Sequence, residues 1–407
     1  MKILLYTQYF PPETNAPANR WGYFCEYLAN KGHEITVLTS FPNHPLRKIF
    51  PGYKNSWRFQ EEKNGVKIFR TWTYIPSSTK FLPRLINYLS FAFSSYLNAR
   101  KISQVDLIII SLPPLFLGLT GLKIAQKRNI SLVLDIRDLW PEAAVSTGYL
   151  RKGLIYYWAR KKSEKIYKMA IKILVNSPAL FENLRCKYAL PDRKLEYLAN
   201  GADLEFFAQK IDHSFIERQY NFYDKFVVLY TGLLGYAQAP EIMIEAAGVL
   251  RDKKDIVFLI VGTGPLEEKL KIEARKLKLT NVIFTGLRPH EEMPQYVALA
   301  DVCLIPYKNK ETFKDNLPSK MFDYLAAGKP MIINLEGEAS EILQKAQAGI
   351  LVKPEDPQAL ADGILKLYVD KFLREKMGVL AKTYAANNFD KKEISQRLEI
   401  ILQALLT

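Results

Sequence analysis

The chain has 407 residues, of which 48% are hydrophobic and 24% are charged. This composition excludes a disordered or fibrous protein, and the length fits two domains of roughly 200 residues each. The three cysteines, Cys25, Cys186 and Cys303, lie far apart and show neither a metal-ligand spacing nor a disulfide framework. We therefore expect a reducing cytosolic environment. We also expect no signal peptide, because Met1 leads directly into a short strand pattern.

The positive charge is concentrated in the first half of the chain. Residues 1–200 carry 30 Lys and Arg against 13 Asp and Glu, whereas residues 201–407 carry 27 against 29. The first half therefore accounts for the net charge of +15, and we expect it to meet an anionic partner. Nucleic acid, an anionic membrane surface and a phosphate-bearing substrate all fit the charge alone.

Strands and helices alternate along the whole chain, which indicates parallel α/β domains. In the first half we predict strands at 2–6, 34–39, 107–111, 132–136 and 173–176, with helices at 21–31 and 117–128. In the second half we predict strands at 226–231, 257–261, 282–285, 302–306 and 331–334, with helices at 241–250, 266–276, 292–300 and 320–327. The periodicity fades near 200–222, where we place the domain boundary. A last helix, at about 391–406, is expected to pack on the first domain.

Two loops of the first half follow predicted strands and carry polar residues. The loop at 8–17 leads into the helix that contains Arg20, but it lacks G-x-G-x-x-G, which disfavours dinucleotide binding. A plain structural loop is an equal alternative for this segment. The other loop contains Arg137 and Asp138, which suit a polar site at the end of a strand. Its alternative is an internal ion pair of Arg137 with Glu142 or Asp135.

The second half has two glycine loops and one charged helix start. Glycines in the segments 231–235 and 261–266 favour close approach of the backbone to a ligand, although tight turns use the same residues. Ser319 is expected to cap a helix that ends at the Gly-Lys-Pro segment 328–330. Lys320 in the first turn opposes the local preference for acidic residues, and a bound phosphate would explain it. Asp315 and Asp323 are eight positions apart and are expected to face one pocket.

Taken in order, these segments resemble the retaining glycosyltransferases of family 4. The matching segments are Tyr-Phe-Pro-Pro-Glu at 9–13, Lys-Gly-His-Glu-Ile-Thr-Val-Leu at 31–38, Arg-Asp-Leu-Trp-Pro-Glu at 137–142, Asn-Gly-Ala-Asp at 200–203, Val-Gly-Thr-Gly-Pro at 261–265, Pro-Ser-Lys at 318–320 and Gly-Lys-Pro at 328–330. The strings at 137–142 and 318–320 resemble the subgroup that includes the fucosamine transferases of O-antigen and capsule assembly. The resemblance implies a GT-B fold of two facing Rossmann-like domains. The first, 1–200 with a returning helix at about 388–407, would bind the acceptor, and the second, 201–387, the nucleotide-sugar.

The resemblance also implies roles for individual residues. The family's pair of glutamates corresponds to Asp323, for the ribose hydroxyls of the donor, and Asp315, for the transferred sugar, with Glu311 as a rival. The family's diphosphate-binding Arg and Lys are missing after Gly232, so Lys320 or Arg288 must replace them. The predicted sets are Arg137, Asp138, Asp315 and Lys320 for catalysis; Gly232, Gly235, Gln238, Gly262, Gly264, Arg288, Leu317, Pro318, Ser319 and Asp323 for the donor; and Glu13, Asn15, Ala16 and Arg20 for the acceptor.

The implied reaction is metal-independent transfer of a hexosyl or N-acetylhexosaminyl group, because no D-x-D occurs in the sequence. No metal site and no cofactor are expected. The leaving diphosphate would be held by Lys320, backbone N–H groups of the Gly232 loop and helix N-termini. The donor would be a UDP-sugar, with GDP-sugars open.

An apolar, aromatic segment at 81–97 and a basic, aromatic segment at 151–168 suggest a lipid-facing surface. A polyprenyl-diphosphate-linked acceptor and peripheral attachment to the inner, cytoplasmic face of an anionic membrane follow from it. An ordinary core helix beside a solvated basic face is the alternative. Rival functions are a nucleotide-sugar epimerase, a phosphorylase, a transferase for a small soluble acceptor and, most distantly, a nucleic-acid-binding protein. No nucleic-acid-binding signature occurs, so no nucleic acid partner is expected.

Overall fold

The computed structural model describes residues 1–78, 81–146, 148, 150–208 and 212–406. The described residues form two compact units, Met1–Ala199 with Lys392–Thr407, and Asn200–Lys391. Each unit consists of a mainly parallel β-sheet with helices, which confirms the α/β class expected from the alternating pattern. Residues 209–211, which lie within the segment where we placed the domain boundary, are outside the described residues.

The first unit contains an eight-stranded sheet in the order β3-β4-β2-β1-β5-β6-β7-β8. All neighbouring strands are parallel except β3 and β4, which are antiparallel. Its elements are β1 (Lys2–Tyr6), α1 (Ala16–Asn30), β2 (Glu34–Ser40), β3 (Arg58–Lys63), β4 (Val66–Thr71), α2 (Phe81–Ala99), β5 (Leu107–Leu112), α3 (Leu115–Arg128), β6 (Ser131–Ile136), α4 (Glu142–Ser146), α5 (Leu154–Met169), β7 (Lys172–Val175), α6 (Pro178–Tyr188) and β8 (Leu195–Tyr197).

The second unit contains a six-stranded parallel sheet in the order β11-β10-β9-β12-β13-β14. Its elements are α7 (Leu204–Ala208), α8 (Ser214–Tyr220), β9 (Phe226–Thr231), α9 (Glu241–Val249), β10 (Ile256–Val261), α10 (Glu267–Lys276), β11 (Val282–Gly286), α11 (Met293–Leu299), β12 (Val302–Ile305), α12 (Ser319–Ala326), β13 (Met331–Ile333), α13 (Glu338–Ala346), β14 (Gly349–Leu351), α14 (Pro357–Val369) and α15 (Lys371–Asn388). The last helix, α16 (Lys391–Ala404), follows it.

The central strands of both sheets are buried on both faces. Every residue of β5, β9 and β10 is buried, as expected for parallel strands covered by helices on each side. Alternate residues of β1 enter two different cores of the first unit. The C-terminal helix α16 contributes Leu398 and Leu402 to one of them, beside Ile3 and Phe24. The end of the chain therefore belongs to the core of the first unit.

Two local features differ from the sequence predictions. Helix α1 begins at Ala16, because Asn15 caps it by accepting a hydrogen bond from the Ala18 N–H at 3.0 Å. The hairpin of β3 and β4 was not predicted. Strand β3 lies at the sheet edge with polar, mostly exposed residues, so its sequence lacks the apolar pattern of a buried strand.

Candidate active site

Lys320 lies in the first turn of α12, with its ammonium group against the ring of Tyr230. Its Nζ lies 3.7 Å from the centroid of the Tyr230 ring, and a Cβ placed on Gly232 would lie 3.2 Å from the same Nζ. Among the residues that the structure describes, no carboxylate forms an ion pair with it. Burial lowers the pKa of Lys320 to about 7, although Asp323 acts in the opposite direction. This ammonium at a helix start is suited to bind an anion.

Asp323 lies one turn further along α12 and belongs to a group of interacting charges. Burial raises the pKa of the Asp323 carboxyl and Asp203 adds to this effect, whereas His290, Lys391 and Lys320 lower it. His290 packs edge-on against the Phe206 ring. The structure therefore brings Asp323 and Lys320 close enough to interact.

Asp315 and its rival Glu311 both lie on exposed segments before α12. Glu311 is 85% exposed and pairs with Lys314 at 2.9 Å. Neither residue is among the charges that act most strongly on Asp323. The expectation that Asp315 and Asp323 face one pocket has no support in these contacts.

The two glycine loops pack against each other through their backbones. A Cβ on Gly262 would overlap the backbone of Gly232, and a Cβ on Gly264 would overlap the backbone of Leu234. The N–H of Gly232 donates to the Val261 carbonyl at 2.8 Å, and the N–H of Leu234 donates to the Thr263 carbonyl at 3.0 Å. Within the Gly232 loop, the N–H groups of Gly232 and Leu234 are therefore used in the contact between the loops, and binding of a diphosphate by the other N–H groups of this loop stays a prediction.

The remaining predicted donor residues lie in three places. Gly235 contacts Gln238, since a Cβ there would lie 2.7 Å from the Gln238 Oε1. Leu317 and Pro318 are buried before α12. Arg288 donates from Nη2 to the Tyr220 hydroxyl at 3.1 Å, which holds it in a cluster of tyrosines. Of the two proposed substitutes for the missing basic residues, Lys320 is the one that forms no hydrogen bond or ion pair with another side chain among the described residues.

Ser319 does not cap α12, which corrects the sequence prediction. It is the first residue of the helix, and Pro318 is the N-cap without a side-chain hydrogen bond. The Pro-Ser-Lys string therefore leaves the helix start without a side-chain acceptor. The Gly-Lys-Pro string after the helix has a structural role instead. Lys329 donates from Nζ to the carbonyls of Ala298 and Ala300, at 2.7 and 2.8 Å, at the end of α11.

In the first unit, Glu13 joins two loops and is 1% exposed. Its Oε1 accepts the N–H groups of Asn43 and His44 at 2.9 and 2.8 Å, and its Oε2 accepts the Phe10 N–H at 3.3 Å. Burial raises the pKa of Glu13 to about 7, while these hydrogen bonds lower it. Glu13 therefore stabilises the loop conformation and does not reach an acceptor, which corrects that assignment.

Arg20 is also a structural residue, contrary to its assignment to the acceptor. Its guanidinium is 1% exposed, lies 3.4 Å from Asp135 and donates to the carbonyls of Leu198 and Ala199. Asp135 accepts a further hydrogen bond from the Trp21 indole at 2.7 Å. The two charges are thus paired with each other inside the unit. Asn15 and Ala16, in contrast, remain partly exposed at the start of α1.

In the segment 137–142, the side chain of Glu142 is held by hydrogen bonds, whereas those of Arg137 and Asp138 are not held by any within the described part of the chain. The Nε and Nη1 atoms of Arg137 are buried and have no hydrogen-bond partner, and Asp138 is exposed. Glu142 accepts hydrogen bonds from the hydroxyl of Tyr188 at 3.0 Å and from that of Tyr156 at 3.4 Å. The alternative of an ion pair between Arg137 and Glu142 is therefore wrong. Glu142 fixes the loop. Among the described residues Arg137 forms an ion pair with neither Glu142 nor Asp135. Burial lowers the pKa of Arg137, although the charges of Asp135 and Asp138 act in the opposite direction.

Two family models together match most of the chain. The model of Glycosyltransferase Family 4 matches residues 18–206, and the model of Glycosyl transferases group 1 matches residues 212–384. The chain is thus a glycosyltransferase whose first half matches the family 4 model and whose second half matches the group 1 model, as the sequence motifs indicate.

This glycosyltransferase is similar along its whole length to proteins of known sequence and structure. It is 27% identical to the E. coli K12 protein WcaI, described as a colanic acid biosynthesis glycosyl transferase, over 97% of this chain and 98% of that protein. The sucrose-phosphate synthase from Thermosynechococcus elongatus superposes with a TM-score of 0.77 at 19% identity, over 99% of this chain and 98% of that one. Anabaena HepE, in a complex with UDP-glucose, superposes with a TM-score of 0.74 at 18% identity, over 99% and 100%.

The sequence analysis did not predict several residues that lie around these sites in the glycosyltransferase. Tyr230 is the last but one residue of a buried strand, and His290 begins a short 3-10 helix after an irregular segment, so neither carries a local signal. Trp21 and Ser111 bind the Asp135 carboxylate from other elements of the first unit. Only their contacts in the folded chain reveal them.

Proposed function

We propose that this glycosyltransferase moves a hexosyl or N-acetylhexosaminyl group from a UDP-sugar to a polyprenyl-diphosphate-linked saccharide, with retention and without a metal ion. The observation that carries the proposal is Lys320, a partly buried ammonium at a helix start that lacks a carboxylate partner in the described residues. An anionic leaving group would supply the missing charge.

In this proposal the second unit binds the donor. Lys320 neutralises the diphosphate, Asp323 binds the ribose hydroxyls, and Asp315 contacts the transferred sugar, as in the family that the chain resembles. The HepE structure contains UDP-glucose, which supports a uridine nucleotide. Gly262 and Gly264 contribute indirectly, because they allow the loop of Gly232 to lie against Lys320.

The reaction follows from these roles. The bond from the anomeric carbon to the diphosphate oxygen breaks, and the acceptor hydroxyl oxygen bonds to that carbon on the same face. The hydroxyl proton passes to the leaving diphosphate, so no protein nucleophile is required. Lys320 stabilises the negative charge that develops on the diphosphate. Arg137 and Asp138 would act on the sugar and the acceptor, as in the family that the chain resembles.

The first unit would bind the acceptor at an anionic membrane surface, in the synthesis of a cell-surface polysaccharide. WcaI supports this pathway class, because it is described as a colanic acid biosynthesis protein. The surface residues Leu82, Phe93 and Leu154 are 62%, 60% and 91% exposed, and α5 continues into exposed lysines. Such apolar and basic groups bind interfaces without spanning them. None of the described helices is long and apolar enough to cross a bilayer. We place the enzyme at the cytoplasmic face.

Thermal unfolding with UDP, GDP and ADP, in the presence of EDTA, tests the donor assignment. A ligand that binds only the folded protein stabilises it by about 2.7 kcal/mol at 100 times its Kd. We expect UDP to raise the melting temperature of the wild type and of Lys345→Ala, a surface lysine variant of the same unit. Lys320→Ala should lose the effect. If no nucleotide stabilises the wild type, the proposed function is wrong.

A further inference from the structure

The end of β6 places two arginines beside one buried carboxylate. Asp135 is fully buried, and its Oδ2 accepts the Trp21 indole N–H at 2.7 Å and the Ser111 hydroxyl at 2.8 Å. Its Oδ1 lies 3.4 Å from the Nε of Arg20. One carboxylate is thus matched by one arginine and two further donors, and the second arginine, Arg137, is influenced by the charges of Asp135 and Asp138.

Arg137 has hydrogen-bonding capacity that the protein does not use. Its Nε and Nη1 are buried without a partner, and no carboxylate of the described residues forms an ion pair with it. Its backbone is fixed, since its N–H donates to the Leu112 carbonyl at 3.1 Å. Leaving a guanidinium unpaired in such a place is unfavourable. The side chain can turn towards a ligand without breaking a protein hydrogen bond.

The chemistry of the missing partner is that of an oxyanion. The planar guanidinium matches phosphate or carboxylate with two parallel hydrogen bonds. A phosphate fits the surroundings, because residues 1–200 carry 30 basic against 13 acidic residues. The proposed function assigns the diphosphate of the donor to Lys320, and we assign a second anionic group to Arg137.

We propose that Arg137 binds a phosphate of the acceptor, an inference that rests on the proposed function and extends it. The acceptor of this glycosyltransferase is then recognised by its phosphate end as well as by its hydroxyl nucleophile. Glu142 assists by positioning the loop through Tyr188 and Tyr156. A neutral glycan would lack the group that Arg137 recognises.

Calorimetric titration of inorganic pyrophosphate and of geranyl diphosphate, with geraniol as the neutral probe, tests this assignment. The protein carries Lys320→Ala, which removes the donor anion site. Adding Arg137→Gln should weaken both diphosphates by about 10- to 100-fold, the effect of losing a charge-assisted pair. Adding Arg185→Gln, an exposed arginine of the same unit paired with Glu182, should not. Arg137→Lys should give an intermediate loss.

Three results would overturn the assignment. Equal weakening by Arg137→Gln and Arg185→Gln would mean that only the overall charge matters. Weaker binding of UDP-glucuronate but not UDP-glucose in the single variant Arg137→Gln would assign the residue to a carboxylate of the donor sugar. Unchanged diphosphate affinity, with UDP binding intact in the wild type, would refute the role of Arg137 and leave the proposed function standing.

Since the Arg137 guanidinium donates no hydrogen bond from Nε or Nη1, Arg137→Gln should melt no earlier than the wild type.

Discussion

The Nζ of Lys320 lies 3.7 Å from the centre of the Tyr230 ring, at the point where β9 meets the start of α12. An aromatic face attracts a cation more weakly than a carboxylate does, and it leaves the ammonium free to pair with an anion. Burial also lowers the pKa of this lysine to about 7. The protonation of Lys320 and the binding of a diphosphate should therefore be coupled.

We predict that the affinity for a UDP-sugar falls as the pH rises above about 7. Only the protonated lysine attracts the diphosphate, and a UDP-sugar diphosphate does not titrate near neutral pH. Each pH unit above the lysine pKa should then weaken binding by up to about 10-fold. Titration calorimetry of UDP-glucose from about pH 6 to about pH 9 measures how the affinity changes with pH. Lys320→Arg should abolish the slope, and a slope retained in that variant would assign it to another group.

We predict that Gly262→Ala destabilises the second unit. Gly262 has φ of +143° and a Cβ there would overlap the Gly232 carbonyl, so the two loops must separate. We expect a loss of about 1–3 kcal/mol together with weaker UDP binding. Gly286→Ala is the matched control, because φ is +72° but no atom lies within 4 Å of its Cβ. Equal melting temperatures for the two variants would contradict a role for loop packing.

We predict that Glu13 makes the first unit less stable at neutral pH than at acidic pH. Its pKa in the folded protein is raised from 4.5 to about 7, so the folded state binds the proton more tightly than the unfolded state. The favourable contribution is complete below the unfolded pKa and is lost as the pH rises through about 7, by up to about 3 kcal/mol. Thermal unfolding of wild type and Glu13→Gln at several pH values measures the difference. Parallel curves for the two proteins would exclude this titration.

We predict that the protein floats with vesicles that contain anionic lipid at low salt. Replacing Leu154 and Ile155 by Ser, or Lys161 and Lys165 by Gln, should reduce the bound fraction, and salt should weaken the basic contribution through screening. Phe372→Ser with Val379→Ser, which removes equally exposed apolar groups from α15 in the second unit, is the control. Equal flotation of all these variants would show that α5 does not contact the membrane.

The central strands were predictable because each is a short run of apolar, often β-branched residues. Strand β9 has the predicted bounds Phe226–Thr231, and β1 the predicted bounds Lys2–Tyr6. A strand that is buried on both faces of the sheet needs apolar residues at every position, whichever strands lie beside it. The edge strand β3 escaped prediction because its place depends on pairing with β4 and not on its own pattern.

The sequence by itself determined the two α/β units and the glycosyltransferase motifs, and it singled out Lys320 as a candidate, since these depend on local periodicity and on residues close together in the chain. Only the tertiary structure decided which charges are free. Arg20 and Arg137 look equally suited to a ligand in the sequence, yet Arg20 is paired with Asp135 and Arg137 is not. Asp135 lies 115 positions from Arg20. An ion pair between residues so far apart forms only when folding brings α1 to the end of β6. The free-energy cost of burying an arginine depends on whether folding also places a carboxylate beside it.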